Sequence, residues 1–477
     1  MRRLVVGTSV MVACSTTYAL AGDLDQHRLR LAAVVVPWWF LAVVVTRWVG
    51  SAPATQRVPR PSTLPGGPRR VLVVVFLVAL AAQLPGLLSP PRSSSDAYRY
   101  VWDGRVQLSG TSPYRFAPLD DRLAALRDPV LFPGLGPQDH SGYRTRPTPT
   151  DRADVLARAA NDPRTRINRP RVPTIYPPVA QAWFAAVAWL TPWSWGTVGL
   201  QLGSALLAAG IAVALASMLR RSGRDPWGAL WWAWCPAVVA ESGNGAHVDV
   251  LAAAFVVAAL ATATAPGGRP PAGRVVAAGV LGGLAVATKL YPAVVLAALF
   301  PLRRNAVRAL GATLAAAVTV VAAYLPHWVT AGPLVLGYLP GYLLEEQGPN
   351  RDGILALVLP GAALGPASVA VLGAVSAVVA WRLTGRAQEA AAGAALLFGT
   401  LLLVTTPSYP WYALPLVACA VRAGRLEWLA VVVAATVAYT SVSVHPLPTL
   451  AYCASALVVL AATVFRHLGE RRRSGGR

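Results

Sequence analysis

Apolar runs long enough to cross a bilayer recur along almost the whole chain, and no other feature constrains its fold as strongly. A helix needs roughly 17 to 25 mostly apolar residues to span the hydrocarbon. Such runs lie near 4–21, 29–49, 71–88, 197–219, 247–265, 307–326, 366–382, 390–405, 427–444 and 449–465. Four shorter runs, 227–241, 275–288, 291–302 and 410–421, are bounded by Pro or polar residues. They read as broken or cavity-lining spans, which need not cross lipid as isolated helices. The expected fold is an all-α polytopic membrane protein with about fourteen transmembrane segments. Two further stretches, 178–190 and 354–364, are short and flanked by Pro, and read as interfacial or re-entrant helices. Only 13% of the 477 residues are charged, against about 25% in a soluble domain, which excludes an ordinary cytosolic enzyme.

The net charge of +22 would suggest nucleic acid if it were gathered on one surface. Here the basic residues are dealt out in small groups between apolar runs, so no nucleic-acid partner is expected. The positive-inside rule turns that distribution into an orientation. With both termini cytoplasmic, that side takes the loops 50–70, 220–226, 266–274, 303–308, 382–389 and 422–426. Counted with the adjoining span ends, it carries 24 Arg against four acids, a net of +20, and the rest of the chain carries +2. The first twenty residues also match a signal peptide, with Arg2, Arg3 and Ala19-Leu20-Ala21, but a second apolar run follows at once and favours a span. All four cysteines, Cys14, Cys235, Cys419 and Cys453, fall inside apolar runs, so packing is expected of them and not a disulfide framework.

One polar segment is large. Residues 89–177 hold nine Asp, fourteen Arg and no Glu, and three spans before it place it outside the cell. Its middle, about 119–165, is rich in Pro, Arg and Asp with little periodicity and reads as surface loop. Its start is different. Ser94 or Ser95 can cap a helix opened by Asp96, and Asp96, Tyr100 and Asp103 then stand at i, i+4 and i+7, with both carboxylates on one face. Solvated Asp–Arg pairing at a helix start accounts for the same spacing.

Lys289 is the single lysine among 41 arginines and lies between two apolar runs, in ATKLYPAVV. An ammonium there marks a functional site by default, and snorkelling to the interface is the plainer alternative. GNGAHVDV, with Glu241 two residues before it, sets Glu241, His247 and Asp249 at another boundary, where Gly243 and Gly245 permit an irregular chain. His247 and Asp249 are two residues apart and share no helical face, so a metal clamp is not expected. Arg169 and Arg171 precede Tyr176 and the Pro177-Pro178 turn. Glu345, Glu346, Arg351 and Asp352 read as a charged rim. Trp411 and Tyr412 in PSYPWY are interfacial anchors or sugar-stacking rings. No CxxC, HExxH, GxSxG or P-loop pattern occurs, and no segment is large enough to be a soluble nucleotide-sugar domain.

The stretches DAYRYVWDGRVQLSGTSPYRFAP, INRPRVPTIYPPVAQ, GNGAHVDVLAAAF and KLYPAVVLAALF together resemble the GT-C superfamily of integral-membrane glycosyltransferases, of the family 87 type and related actinobacterial mannosyltransferases. The likeness covers about 90–420. It implies transfer of a sugar, with mannose preferred, from a polyprenyl-phosphate donor to an acceptor hydroxyl of a cell-envelope glycan or glycolipid. The transfer inverts the anomeric carbon at the outer face of the plasma membrane, and the long first extracytoplasmic loop is the catalytic one. The family's general base is an Asp soon after the span that opens that loop, which here is Asp96; Asp103 is the second choice for the base, or a group that orients the acceptor. Lys289, Arg99, Arg105 and Arg169 are expected at the donor phosphate. Tyr100, Tyr176, His247, Asp249, Tyr291, Trp411 and Tyr412 are expected at the substrates. No cofactor is expected, and independence of metal follows because Arg and Lys can handle a lipid monophosphate.

The division expected is an N-terminal hairpin and linker over 1–70, a catalytic transmembrane core over 71–326 containing the loop 89–177, and a C-terminal region over 327–477 with an outer loop at 327–353. The hairpin is expected to lie outside the catalytic core. The competing reading is a flippase for polyprenyl-linked sugars, which would show matching broken helices in two halves and charges at the midplane. No such repeat is visible. A non-catalytic membrane component would have no need of the Asp pair.

Overall fold

The computed structural model of the protein describes residues 1–22, 24–51, 67–146, 151–263, 270–299, 302–303, 306–345, 353–382 and 387–474. Among them the chain is helical, with one isolated β-bridge between Asp120 and Tyr143. Eight helices are long and apolar enough to span a bilayer: Arg2–Leu20, Arg30–Gly50, Arg69–Leu88, Val198–Arg221, Ala306–Glu345, Ala363–Arg382, Gln388–Thr405 and Leu447–Glu470. A ninth arises if Pro236–Asn244 and Asp249–Ala263, which meet at 119°, are counted as one broken span.

The expected fourteen is therefore not reached among the described residues. The six remaining runs form short or broken pieces. Residues 227–241 break before Pro236, 291–302 begins with the turn Tyr291–Val295, and 410–421 yields the ten-residue helix Leu414–Ala423. At 1.5 Å per residue that helix covers about 15 Å, half the hydrocarbon thickness. Every one of its residues is buried, so it fills the interior of the bundle and need not cross lipid alone. Of the two expected interfacial helices, Pro178–Leu190 forms, with Trp189 and Leu190 exposed at its end. The stretch 354–364 instead divides between the turn Ile354–Leu357 and the start of Gly361–Arg382.

The segment read as surface loop is a folded lobe. Leu123, Leu131, Phe132 and Leu135 are buried with Trp102 and Phe184 in one apolar cluster. Aspartates replace regular structure as fasteners. Asp120 accepts from the Arg122 guanidinium and, at 2.7 Å, from the Thr145 amide. Asp121 accepts from Ser141 N–H at 2.7 Å and from Arg127 at 3.1 Å. The helix Asp96–Leu108 lies so close to Pro178–Leu190 that a Cβ on Gly104 would stand 2.5 Å from the Phe184 carbonyl oxygen.

The N-terminal hairpin shares the main apolar core, contributing Leu4, Met11, Tyr18, Trp38 and Trp39. Its first helix reaches the start of the lobe, where Arg92 Nε donates to the Ala19 carbonyl at 2.9 Å. Residues expected to lie outside the catalytic core thus meet the chain three positions before Ser95.

Candidate active site

Asp96 opens its helix with its own N–H donated to Ser94 Oγ at 3.0 Å, while Ser95, at the capping position, makes no side-chain cap. That places the carboxylate on the wall of a cavity of about 700 Å³, which also touches Asn168, Arg169, Tyr176, Lys289, Tyr291, Tyr409, Trp411 and Tyr412. Leu339, Leu343, Leu401 and Leu402 give the same space an apolar side. Asn168 donates through Nδ2 to Asp96 Oδ1. Asp96 Oδ2 lies 3.7 Å from His247 Nδ1, and His247 Nε2 lies 3.2 Å from Glu241 Oε2.

The cations on the walls are Lys289 and Arg169. Lys289 follows the helix Ala272–Thr288 in an extended conformation, so its side chain turns inward. Its Nζ sits 2.9 Å from Asp249 Oδ2 and 4.6 Å from the centre of the Tyr412 ring. Tyr291 donates its hydroxyl to the other Asp249 oxygen at 3.0 Å. Arg169 adopts φ 45°, a region sparsely used by residues other than glycine. Both its Nε and Nη2 meet the Glu345 carboxylate. Burial works to lower the guanidinium's proton affinity, and Glu345 more than restores it. Burial also pushes the Tyr176 and Tyr409 phenols up, so both remain neutral donors.

The structure therefore brings Asp96, Lys289, Arg169, Tyr176, Tyr291, Trp411 and Tyr412 to one cavity, with His247 and Asp249 directly behind its wall. Four other candidates lie elsewhere. Asp103 is 1% exposed, with one oxygen on Arg99 Nε at 2.9 Å and the other accepting from Thr174 Oγ1 at 2.6 Å and Gln181 Nε2 at 3.1 Å. Its lone pairs are spent holding the 174–181 segment to the helix. Arg99 continues that role by donating to the Val172 carbonyl at 3.2 Å. Arg105 is tied to Asp128, to the Trp193 carbonyl at 2.9 Å and to the Trp193 ring. Tyr100 is fully buried, stacked on Phe184 at 4.3 Å. These four anchor the lobe and do not line the cavity.

Two further corrections concern the rim and the bend. Arg171 pairs with Asp162 at 2.8 Å, and Glu345 with Arg169; Glu346, Arg351 and Asp352 lie outside the described residues. At the GNGAHVDV turn the left-handed residue is Ala246, φ 53°, not either glycine. Gly243 serves close approach instead, since a Cβ there would stand 2.6 Å from the Gln83 carbonyl oxygen. The sequence reading missed Asn168 and gave Glu241 no role. Neither belongs to a periodic or spaced pattern that local inspection could find.

A family model matches part of the chain. It makes the chain a membrane glycosyltransferase of the GT-C type. The family is glycosyltransferase family 87, and its model matches residues 174–407. Tyr176, His247, Asp249, Lys289 and Tyr291 fall inside the matched region, and Asp96, Arg169, Trp411 and Tyr412 outside it. No curated protein and no solved structure matches the chain.

Proposed function

We propose that the protein transfers mannose from a polyprenyl-phosphate donor to a hydroxyl of a cell-envelope glycan or glycolipid, at the extracytoplasmic face of the plasma membrane, with inversion at the anomeric carbon. Asp96 is the general base. As the acceptor oxygen attacks, its proton passes to Asp96, the new C–O bond forms, and the bond from the anomeric carbon to phosphate oxygen breaks with its electron pair leaving on polyprenyl phosphate. The donor phosphate lies toward Lys289 and Arg169, and the lipid chain toward the leucine side of the cavity. Mannose is the sugar preferred by the family resemblance.

The observation carrying this reading is the pairing of one carboxylate with two cations across a single cavity that has an apolar side. Lys289 and Arg169 are each matched by a carboxylate, so each wall is close to neutral. What they offer a phosphate is their remaining N–H donors, about two of the three on the ammonium and three of the five on the guanidinium. Those donors suffice for a monophosphate, so transfer continues in EDTA.

The test uses membranes containing the full chain and radiolabelled polyprenyl-phosphate mannose. Wild type forms a new glycosidic product, and Asp96→Asn loses at least about 100-fold of the rate. Equal rates for the two would remove Asp96 as the base. Movement of label across the membrane with no new glycosidic bond would overturn the enzyme reading in favour of a flippase.

A further inference from the structure

Glu241 and His247 have no part in the reaction as written, yet they are among the most enclosed polar groups near it. Glu241 is 4% exposed and His247 is fully buried. Glu241 lies near the end of Pro236–Asn244, and His247 lies in the turn where the chain bends by 119° before Asp249–Ala263. Ser93 Oγ donates to Glu241 Oε2 at 2.9 Å, fixing the carboxylate from the segment that leads to Asp96. The imidazole is held flat against Trp411, with centroids 3.8 Å apart and planes 15° apart. This ring can slide little, and its two nitrogens point to two different carboxylates, Glu241 and Asp96.

Ionised carboxylates only accept hydrogen bonds, so a ring placed between two of them satisfies both when each nitrogen carries a proton. Neither nitrogen is in an aligned hydrogen bond in this structure. The 3.7 Å gap to Asp96 is of the kind that closes when substrate arrives. The carboxylates stand on opposite nitrogens of the ring, so the three groups do not converge on one point and cannot chelate one ion together.

We propose that Glu241 and His247 are positioning residues for Asp96. Glu241, itself held by Ser93, sets the ring through Nε2. The ring holds Asp96 Oδ2 through Nδ1, as Asn168 holds Oδ1, and keeps the carboxylate turned toward the acceptor. The proposal rests on Asp96 being the base, and it assigns these two side chains no contact with either substrate.

The experiment compares wild type, Asp96→Asn, His247→Ala and Glu241→Gln, each as the full chain in membranes with radiolabelled polyprenyl-phosphate mannose. His247→Ala is expected to lower kcat by about 100-fold, the scale of a base misplaced by an ångström, while the donor KM moves less than about threefold. Added imidazole, which fits the space left beside Trp411, restores about a tenth of the lost rate or more. Glu241→Gln keeps the shape, lowers kcat by about 10-fold and gains nothing from imidazole. The unchanged donor KM reports that the cavity is still formed. Full kcat in His247→Ala, or a loss that imidazole does not relieve, overturns the positioning role while Asp96→Asn remains inactive. Full activity in Asp96→Asn instead overturns the reading of the base on which the proposal stands.

Discussion

The lobe between the third span and Pro178 and the helical bundle beneath it are held together by opposite means. In the bundle, small residues let backbones touch: a Cβ on Gly279 would stand 2.3 Å from the Ala312 carbonyl oxygen, and one on Gly283 2.6 Å from that of Ala316. This is the close approach expected where lipid offers no hydrophobic drive between helices. In the lobe, which has little regular structure, aspartates and arginines do the fastening, through Asp103, Asp120, Asp121 and Asp162. Most charge in the lobe is therefore committed to architecture. The groups facing a cavity collect at the seam, with Asp96 and Arg169 from the lobe and Lys289 and Tyr291 from the bundle.

The sharpest way to break this comparison uses two carboxylates of one helix. Asp96→Asn should remove about 100- to 10,000-fold of transfer and leave thermal stability nearly unchanged. Asp103→Asn should reverse the pattern, with a stability loss of about 1.5 to 3 kcal/mol from its charged hydrogen bonds and transfer retained in the folded fraction. Thermal unfolding and transfer rate, measured together, decide it. If both variants behave alike, the division between architectural and seam charges is wrong.

Lys289 tests the bundle's side of the seam. Lys289→Met leaves Asp249 buried without its ammonium, a change that costs about 3 to 5 kcal/mol of stability, and it raises the donor KM. Adding Asp249→Asn should recover most of the stability and none of the donor affinity. Recovery of both would make Lys289 a packing residue.

Gly104→Ala probes the contact between the lobe helix and Pro178–Leu190. The Phe184 carbonyl is backbone and cannot step aside, so overpacking should cost about 1 to 3 kcal/mol, read as a lowered unfolding temperature with the purified chain in detergent. The Ala variant at the open position Gly273 should cost less than that.

The smallest effect is one of pH. Arg164 holds the Asp162 carboxyl below its ordinary range against the effect of burial, and for Asp120 burial works upward but Arg122 and Thr145 outweigh it. A depressed folded pKa gives stability that is complete above the unfolded value, about 3.9, and lost as pH falls through the folded one. Protease cleavage within the lobe should stay constant from pH 7 to about 5 and rise below about pH 4. Unchanged protection at pH 3 would show that the aspartates are not the fasteners.

Legibility followed the range of the interactions. Spans long enough to cross lipid were visible because eight of ten long runs carry their own signal of length and hydropathy. Short runs were not, since a ten-residue helix is stable only inside a bundle that supplies its surroundings. Asp96 stood out by its place just after a span, and Lys289 by being the only lysine. Arg99 and Arg105 looked equally suited to phosphate, because whether an arginine faces a cavity or an aspartate depends on where the rest of the lobe folds.

By itself, then, the sequence determined a helical membrane protein, the position of one carboxylate at the head of a helix and one lysine in an apolar setting. Hydropathy and helix entry are local properties, and local composition records them. Tertiary structure alone decided that Glu241, His247 and Asp96 line up, that Asp249 meets Lys289 and that Asp103 is spent on Thr174 and Gln181. All of those contacts but Glu241–His247 join residues far apart in the chain, and their geometry is fixed only by how closely the helices and the lobe approach.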